Sequence, residues 1–159
     1  MQDELITNEI KWYNNEILTI KEKIATWLKE FGYTVNCTQE EKTNIEELSG
    51  KYKTFQFVFN INNTMHITLE PYGIWIIGAK GRIDIKGSSG SEKLVYFCKG
   101  GPGLKTEIKT DSGTTVEKSS HRYFDNVDED AWYWYDDSSY RKVVKLSKET
   151  LLALLERIQ

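Results

Sequence analysis

The stretch from Ile74 to Cys98, IWIIGAKGRIDIKGSSGSEKLVYFC, restricts the fold of this chain more than any other. Ile83 and Ile85 point one way, and Arg82, Asp84 and Lys86 point the other. This period of two is the signature of a half-buried antiparallel strand. Gly87-Ser88-Ser89-Gly90-Ser91 turns the chain, after which Leu94, Tyr96 and Cys98 resume one face. The rest of the chain reads as strands added to this hairpin or helices covering it.

Upstream, Ile10, Tyr13, Ile17, Ile20, Ile24, Trp27 and Phe31 recur at spacings of three and four. That pattern predicts an amphipathic helix from about Asn8 to Phe31, packed on a sheet, with Gly32 at its left-handed end. Tyr33 to Cys37 reads as a short strand, and the polar, acidic run Thr38 to Ser49 as a short helix or a loop ended by Gly50. Phe55, Phe57, Phe59 and Ile61 alternate with polar neighbours in a strong strand. Asn62-Asn63 is a turn, because asparagine tolerates positive φ. Thr64 to Glu70 answers with Met65, Ile67 and Leu69 inward, and Pro71-Tyr72-Gly73 is expected to turn again. Leu104 to Lys109 and Thr114 to Lys118 flank a further turn at Asp111-Ser112-Gly113, and Tyr140 to Leu146 is the last expected strand. Ser147 then caps a helix whose buried face is Leu151, Leu154, Leu155 and Ile158.

The expected architecture is a single α+β domain over residues 1–159. A mainly antiparallel meander of about six to eight short strands is covered on one face by an N-terminal and a C-terminal helix. Its 159 residues suffice for a real core, and the hydrophobic share of 39% and charged share of 28% are ordinary for a globular chain. The net charge of −3 supplies no basic field to attract nucleic acid or an anionic membrane. No apolar run is long enough to span a bilayer, and the acidic N-terminus is unlike a signal peptide. With only Cys37 and Cys98 available for disulfides, the default compartment is the reducing cytoplasm.

Three sets of residues invite a catalytic reading. His66 and Thr68 form one His-x-Thr pair of the kind that two-histidine phosphoesterases carry twice. The second histidine, His121, is followed by Arg122-Tyr123 and lacks the partner hydroxyl. Asp84/Lys86 and Glu107/Lys109 match the acid-x-Lys element of restriction-type nuclease sites, where carboxylates hold a divalent metal and the lysine steadies the attacking water. Both stretches run into hairpin turns where such sites need a helix, and acid-x-Lys on an alternating strand is commonly a solvated face with cross-strand ion pairs. Cys37, Cys98, His66 and His121 lack the paired spacing of a zinc site, and no glycine loop leads into a helix to cradle phosphate. No cofactor or metal is expected.

The segment Asp125 to Asp137, DNVDEDAWYWYDD, departs from the rest in composition, with acids bracketing Trp132, Tyr133, Trp134 and Tyr135. Alternation predicts buried tryptophans and exposed tyrosines. Tyrosine and tryptophan dominate binding hot spots, and flanking carboxylates steer a cationic partner. Glu129, Asp130, Tyr133, Tyr135 and Asp136 are therefore the expected partner-binding residues, and the expected partner is another protein, with a basic one favoured by charge. In composition the segment resembles the acidic, tyrosine-rich surfaces of bacterial immunity proteins and antitoxin-like inhibitors. The leading expectation is a non-enzymatic binding domain of that kind or an accessory factor. The alternative is a metal-dependent phosphodiesterase or nuclease-like enzyme using the residue pairs above.

Overall fold

The computed structural model describes residues 1–109, 111, 113, 115–135 and 142–159, and for 104–109 and 115–121 it describes the backbone alone. Within these residues the fold is α+β. The long helix α1 (Gln2–Glu30) is followed by strands β1 (Val35–Glu46), β2 (Gly50–Ile61), β3 (Met65–Gly73), β4 (Gly81–Lys86) and β5 (Ser91–Phe97). Then come β6 (Gly103–Lys109), β7 (Thr115–Arg122), β8 (Ala131–Tyr135), β9 (Val143–Lys145) and the closing helix α2 (Lys148–Ile158). Seven strands form one sheet in the order β1-β2-β3-β4-β5-β8-β9, every neighbour antiparallel. The β6-β7 hairpin is a separate two-stranded sheet inserted between β5 and β8.

α1 begins six residues before the expected start and carries Asp3 and Glu4 in its first turn, where they favour the positive end of the helix dipole. Its buried stripe is Tyr13, Ile17, Ile20, Ile24 and Leu28; Trp27 packs at the margin and Phe31 is exposed as the C-cap. The end is a Schellman motif. Tyr33 N–H donates to Leu28 O at 3.0 Å and Gly32 N–H to Lys29 O at 2.9 Å, which requires the left-handed φ of +93° that Gly32 adopts. α2 starts at Ser147 with a capping box shared with Thr150 and buries Leu151, Leu154, Leu155 and Ile158. Both helices lie on one face of the sheet, against Phe57, Phe59, Ile67, Leu69, Ile83, Ile85 and Leu94. Gly87 is where α2 meets the β4-β5 turn: Ser89 N–H donates to Ile158 O at 2.9 Å, and a Cβ on Gly87 would overlap that same carbonyl.

Three expectations are corrected. The run Thr38 to Glu46 is neither helix nor loop; it continues β1, paired residue for residue with β2 from Val35↔Ile61 to Glu46↔Gly50. The strongly strand-forming β2 templates it, and Glu40, Glu41 and Lys42 suit an edge strand that must not pair further. Pro71-Tyr72-Gly73 does not turn. β2 stops pairing with β3 at Phe57↔Leu69, so Pro71 forfeits no ladder bond on that side, and β3 runs on through a register shift between Pro71 and Gly73. The reversal comes later, at Ile77-Gly78, closed by Ala79 N–H to Ile76 O at 3.1 Å. Third, the face that Leu94, Tyr96 and Cys98 were expected to share does not extend to Cys98, and the other face of β5 is covered as well. Leu94 joins the helix-covered core, while Val95 and Phe97 enter a second apolar cluster on the opposite face, and Cys98 is exposed just past the strand. The final strand is shorter than expected, Val143–Lys145, and Tyr140 lies outside the described residues.

Candidate functional site

β8 divides the acidic aromatic segment between the two faces of the sheet. Trp132 pairs with Tyr96 and faces the helices, as does Trp134; Tyr133 pairs with Val95 and faces away. Both tryptophans are buried as expected. Tyr133 is not exposed: only 2 % of its surface remains accessible, and its hydroxyl donates to Glu129 O at 2.7 Å. Tyr135 is half-buried, with Phe124 5.6 Å from its ring. The cause is the chain before β8, which folds Phe124 and Val127 over Val95, Phe97 and Val143 and closes the second cluster around the tyrosines. Burial pushes both phenols up, and a phenol under apolar cover is a poor first contact for a partner. Asp136 lies outside the described residues.

Glu129 and Asp130 remain exposed, and they line a groove of about 270 Å³ between α1 and the β8-β9 edge. Its walls include Trp27, Tyr96 and Trp132, with Glu16, Lys23 and Lys145 among the charged residues around it. Several of its polar groups are held in place. Trp132 Nε1 donates to Glu16 Oε2 at 3.1 Å, Lys99 N–H donates to Asp130 Oδ1 at 2.6 Å, and Lys145 is ion-paired with Glu129. The aromatic wall continues along α1. Trp12 stacks on Trp132 with ring centroids 6.4 Å apart and meets Tyr96 edge-on at 4.9 Å, and the Lys80 ammonium sits 4.1 Å above the Trp12 ring. Burial, and then the nearby carboxylates Glu16 and Asp130, push the Tyr96 phenol up. The groove therefore combines flat apolar walls with carboxylates, a chemistry suited to the stem and head of a cationic side chain.

Of the residues that invited a catalytic reading, His66, Thr68, Asp84 and Lys86 lie on β3 and β4, along the opposite, helix-free face. Thr68 stands directly across from Lys86 and Glu70 across from Asp84. Every carboxylate there is engaged by a cation. Glu70 takes Lys42 and Lys86, each at 2.7 Å, and Asp84 takes Arg82 through two hydrogen bonds of 2.8 and 3.2 Å. The Arg82 guanidinium also lies 3.6 Å from the centre of the Tyr72 ring. The Lys42 and Lys86 hydrogen bonds pull the Glu70 carboxyl below the usual range, and Glu70 in turn pushes Lys86 up. His66 is exposed at the end of this row. Side chains of Glu107, Lys109 and His121 lie outside what is described. No group of three or more His, Cys, Asp or Glu side chains among the described residues is arranged to hold a metal ion.

Glu16, Trp27 and Tyr96, which complete the groove, were not among the expected site residues. Glu16 lies more than a hundred residues from Trp132 in the chain, and nothing local in α1 marks it. A signal for the burial of Tyr133 does exist in the sequence. Leu94-Val95-Tyr96-Phe97 is an unbroken apolar run, as strands covered on both faces show. Comparison of the chain with protein-family models, with curated proteins and with solved structures finds no match.

Proposed function

We propose that this chain is a non-enzymatic protein-binding domain, an inhibitor of the bacterial immunity or antitoxin kind or an accessory factor, acting in the cytoplasm on a basic partner protein. The observation that supports this reading is the groove beside β8, where exposed Glu129 and Asp130 stand over walls that include Trp27, Tyr96 and Trp132. Planar aromatics offer large contact area at low entropic cost, and the carboxylates steer a cationic surface toward them. The catalytic alternative draws less support. A lysine that steadies an attacking water must be free to do so, whereas Lys86 is spent on Glu70 and Asp84 on Arg82.

The test begins with recovery of a partner from the source cell at low salt, followed by binding measurements with Glu129→Lys and Asp130→Lys. The expected result is a slower association for each variant and a wild-type on-rate that falls as salt rises, since exposed charges are screened over about 8 Å at physiological ionic strength. Metal-dependent hydrolysis of nucleic acid or cyclic nucleotides, lost on His66→Ala or Asp84→Ala, would favour the enzyme instead.

A further inference from the structure

The loop between β3 and β4, Ile74 to Lys80, presents an apolar residue to solvent from a braced backbone. Ile77 at its tip is fully exposed, at 102 % of its reference area. A β-branched aliphatic side chain in water at the apex of a turn has no role in the core. Yet the loop is fixed from both ends. At the first end, the Glu46 carboxylate accepts the Ile74 N–H at 3.1 and 3.2 Å, the Trp75 N–H at 3.2 Å and the Tyr52 hydroxyl. At the tip, Gly78 takes a φ of +77° and Ala79 N–H donates to Ile76 O at 3.1 Å. At the far end, Lys80 N–H donates to Tyr96 O at 2.9 Å. Open grooves flank Trp75 on both sides, one beside Glu47 and Leu48, the other beside Glu9 and Ile77.

We propose that this loop is a preorganised anchor that inserts Ile77 into an apolar pocket with a basic rim on a partner protein. The inference rests on the reading of the chain as a protein-binding domain, and it adds a second contact continuous with the first. Lys80 lies over Trp12, and Trp12 stacks on Trp132, so the base of the loop adjoins the aromatic wall of the groove. Charge selects the occupant. Glu9, Glu46 and Glu47 stand around the loop, and the ammonium of Lys80 is directed at the Trp12 ring. An anionic lipid surface would be repelled by those carboxylates, and a lone isoleucine is too small an apolar face to hold a helix-free loop in a bilayer. A pocket suits a single projecting knob, and a loop fixed before binding avoids the ordering cost that a flexible one would carry.

The test uses the full chain and the protein that the wild type retains at low salt. Affinities for that protein are measured with Ile77→Asp, Glu46→Gln and the double variant Glu129→Lys/Asp130→Lys. Ile77→Asp leaves the fold intact, because the side chain touches solvent, and is expected to lower affinity at least about thirtyfold, as loss of a hot-spot residue does. Glu46→Gln is expected to weaken binding less and to speed hydrogen exchange at the Ile74 and Trp75 amides, a readout that a mere surface change would not move. An Ile77→Asp variant that binds as wild type, while the double variant does not, overturns the anchor and leaves the groove. Loss with Ile77→Asp alone supports the anchor and removes the groove. A wild type that retains no protein overturns both. Two further outcomes overturn the assigned occupant: Ile77-dependent sedimentation with phosphatidylcholine vesicles, alone or mixed with phosphatidylserine, and Ile77-dependent self-association in sedimentation velocity.

Discussion

Single carboxylates do different work on the two faces of the sheet. Glu46 terminates β1 and ties down the loop that follows β3, whereas Glu70 holds two lysines from neighbouring strands on the open face. Because Glu70 ionises more readily in the folded protein, it binds fewer protons there than in the unfolded chain. Its stabilising contribution is therefore present above the unfolded value of about 4.3 and is lost as pH falls through the lower folded value. Glu70→Gln should be less stable than wild type near neutral pH, with the gap narrowing as the pH is taken below the unfolded value of about 4.3, as read from denaturant midpoints at neutral and acid pH. A gap of the same size at both would mean that Glu70 acts through shape and not through charge. Residue identity alone did not reveal this role. Asp84-Ile85-Lys86 reads more commonly as a solvated face of cross-strand ion pairs than as a metal site, but the partners come only from the register of β3 against β4, with Thr68 facing Lys86 and Glu70 facing Asp84.

Elements were legible where periodicity was strong and partners were implied by it. α2 is the clearest case: its cap and all four apolar positions follow from sequence, and Leu155 packs in the helix-covered core. Leu155→Ala should cost about 2–5 kcal/mol in equilibrium unfolding, the range for a buried leucine, whereas a loss under about 0.5 kcal/mol would contradict the covering role of the helix. β1 was illegible beyond Cys37 because an edge strand is shaped by its neighbour. Its own residues, Glu40-Glu41-Lys42, carry no strand signal, and the pairing with β2 supplies it. β8 was legible in its alternation but not in its surroundings. Which side of Trp132-Tyr133-Trp134-Tyr135 meets solvent depends on the path of Phe124 and Val127, a tertiary fact with no local signature. Of the residues expected in the site, Glu129 and Asp130 line the groove, while Tyr133 lies in the second cluster.

At the scale of the molecule, the sheet separates two surfaces of different chemistry. One is the self-neutralised ladder of β3 and β4, in which every carboxylate has its cation. The other runs along α1, from the braced Ile77 loop past Trp12 to the groove at Glu129 and Asp130, and there aromatic and acidic groups are combined. No helix among the described residues is long and apolar enough to cross a membrane. The central claim is that the second surface is the one a partner protein covers. Hydrogen exchange of the chain, free and saturated with its recovered partner, tests this most directly. The account predicts slowed exchange in the 129–132 segment, in the 74–80 loop and along the middle of α1, with the amides of β3 and β4 around Thr68 and Lys86 unchanged. Protection confined to β3 and β4 around His66, Glu70 and Asp84, with the groove untouched, would contradict it.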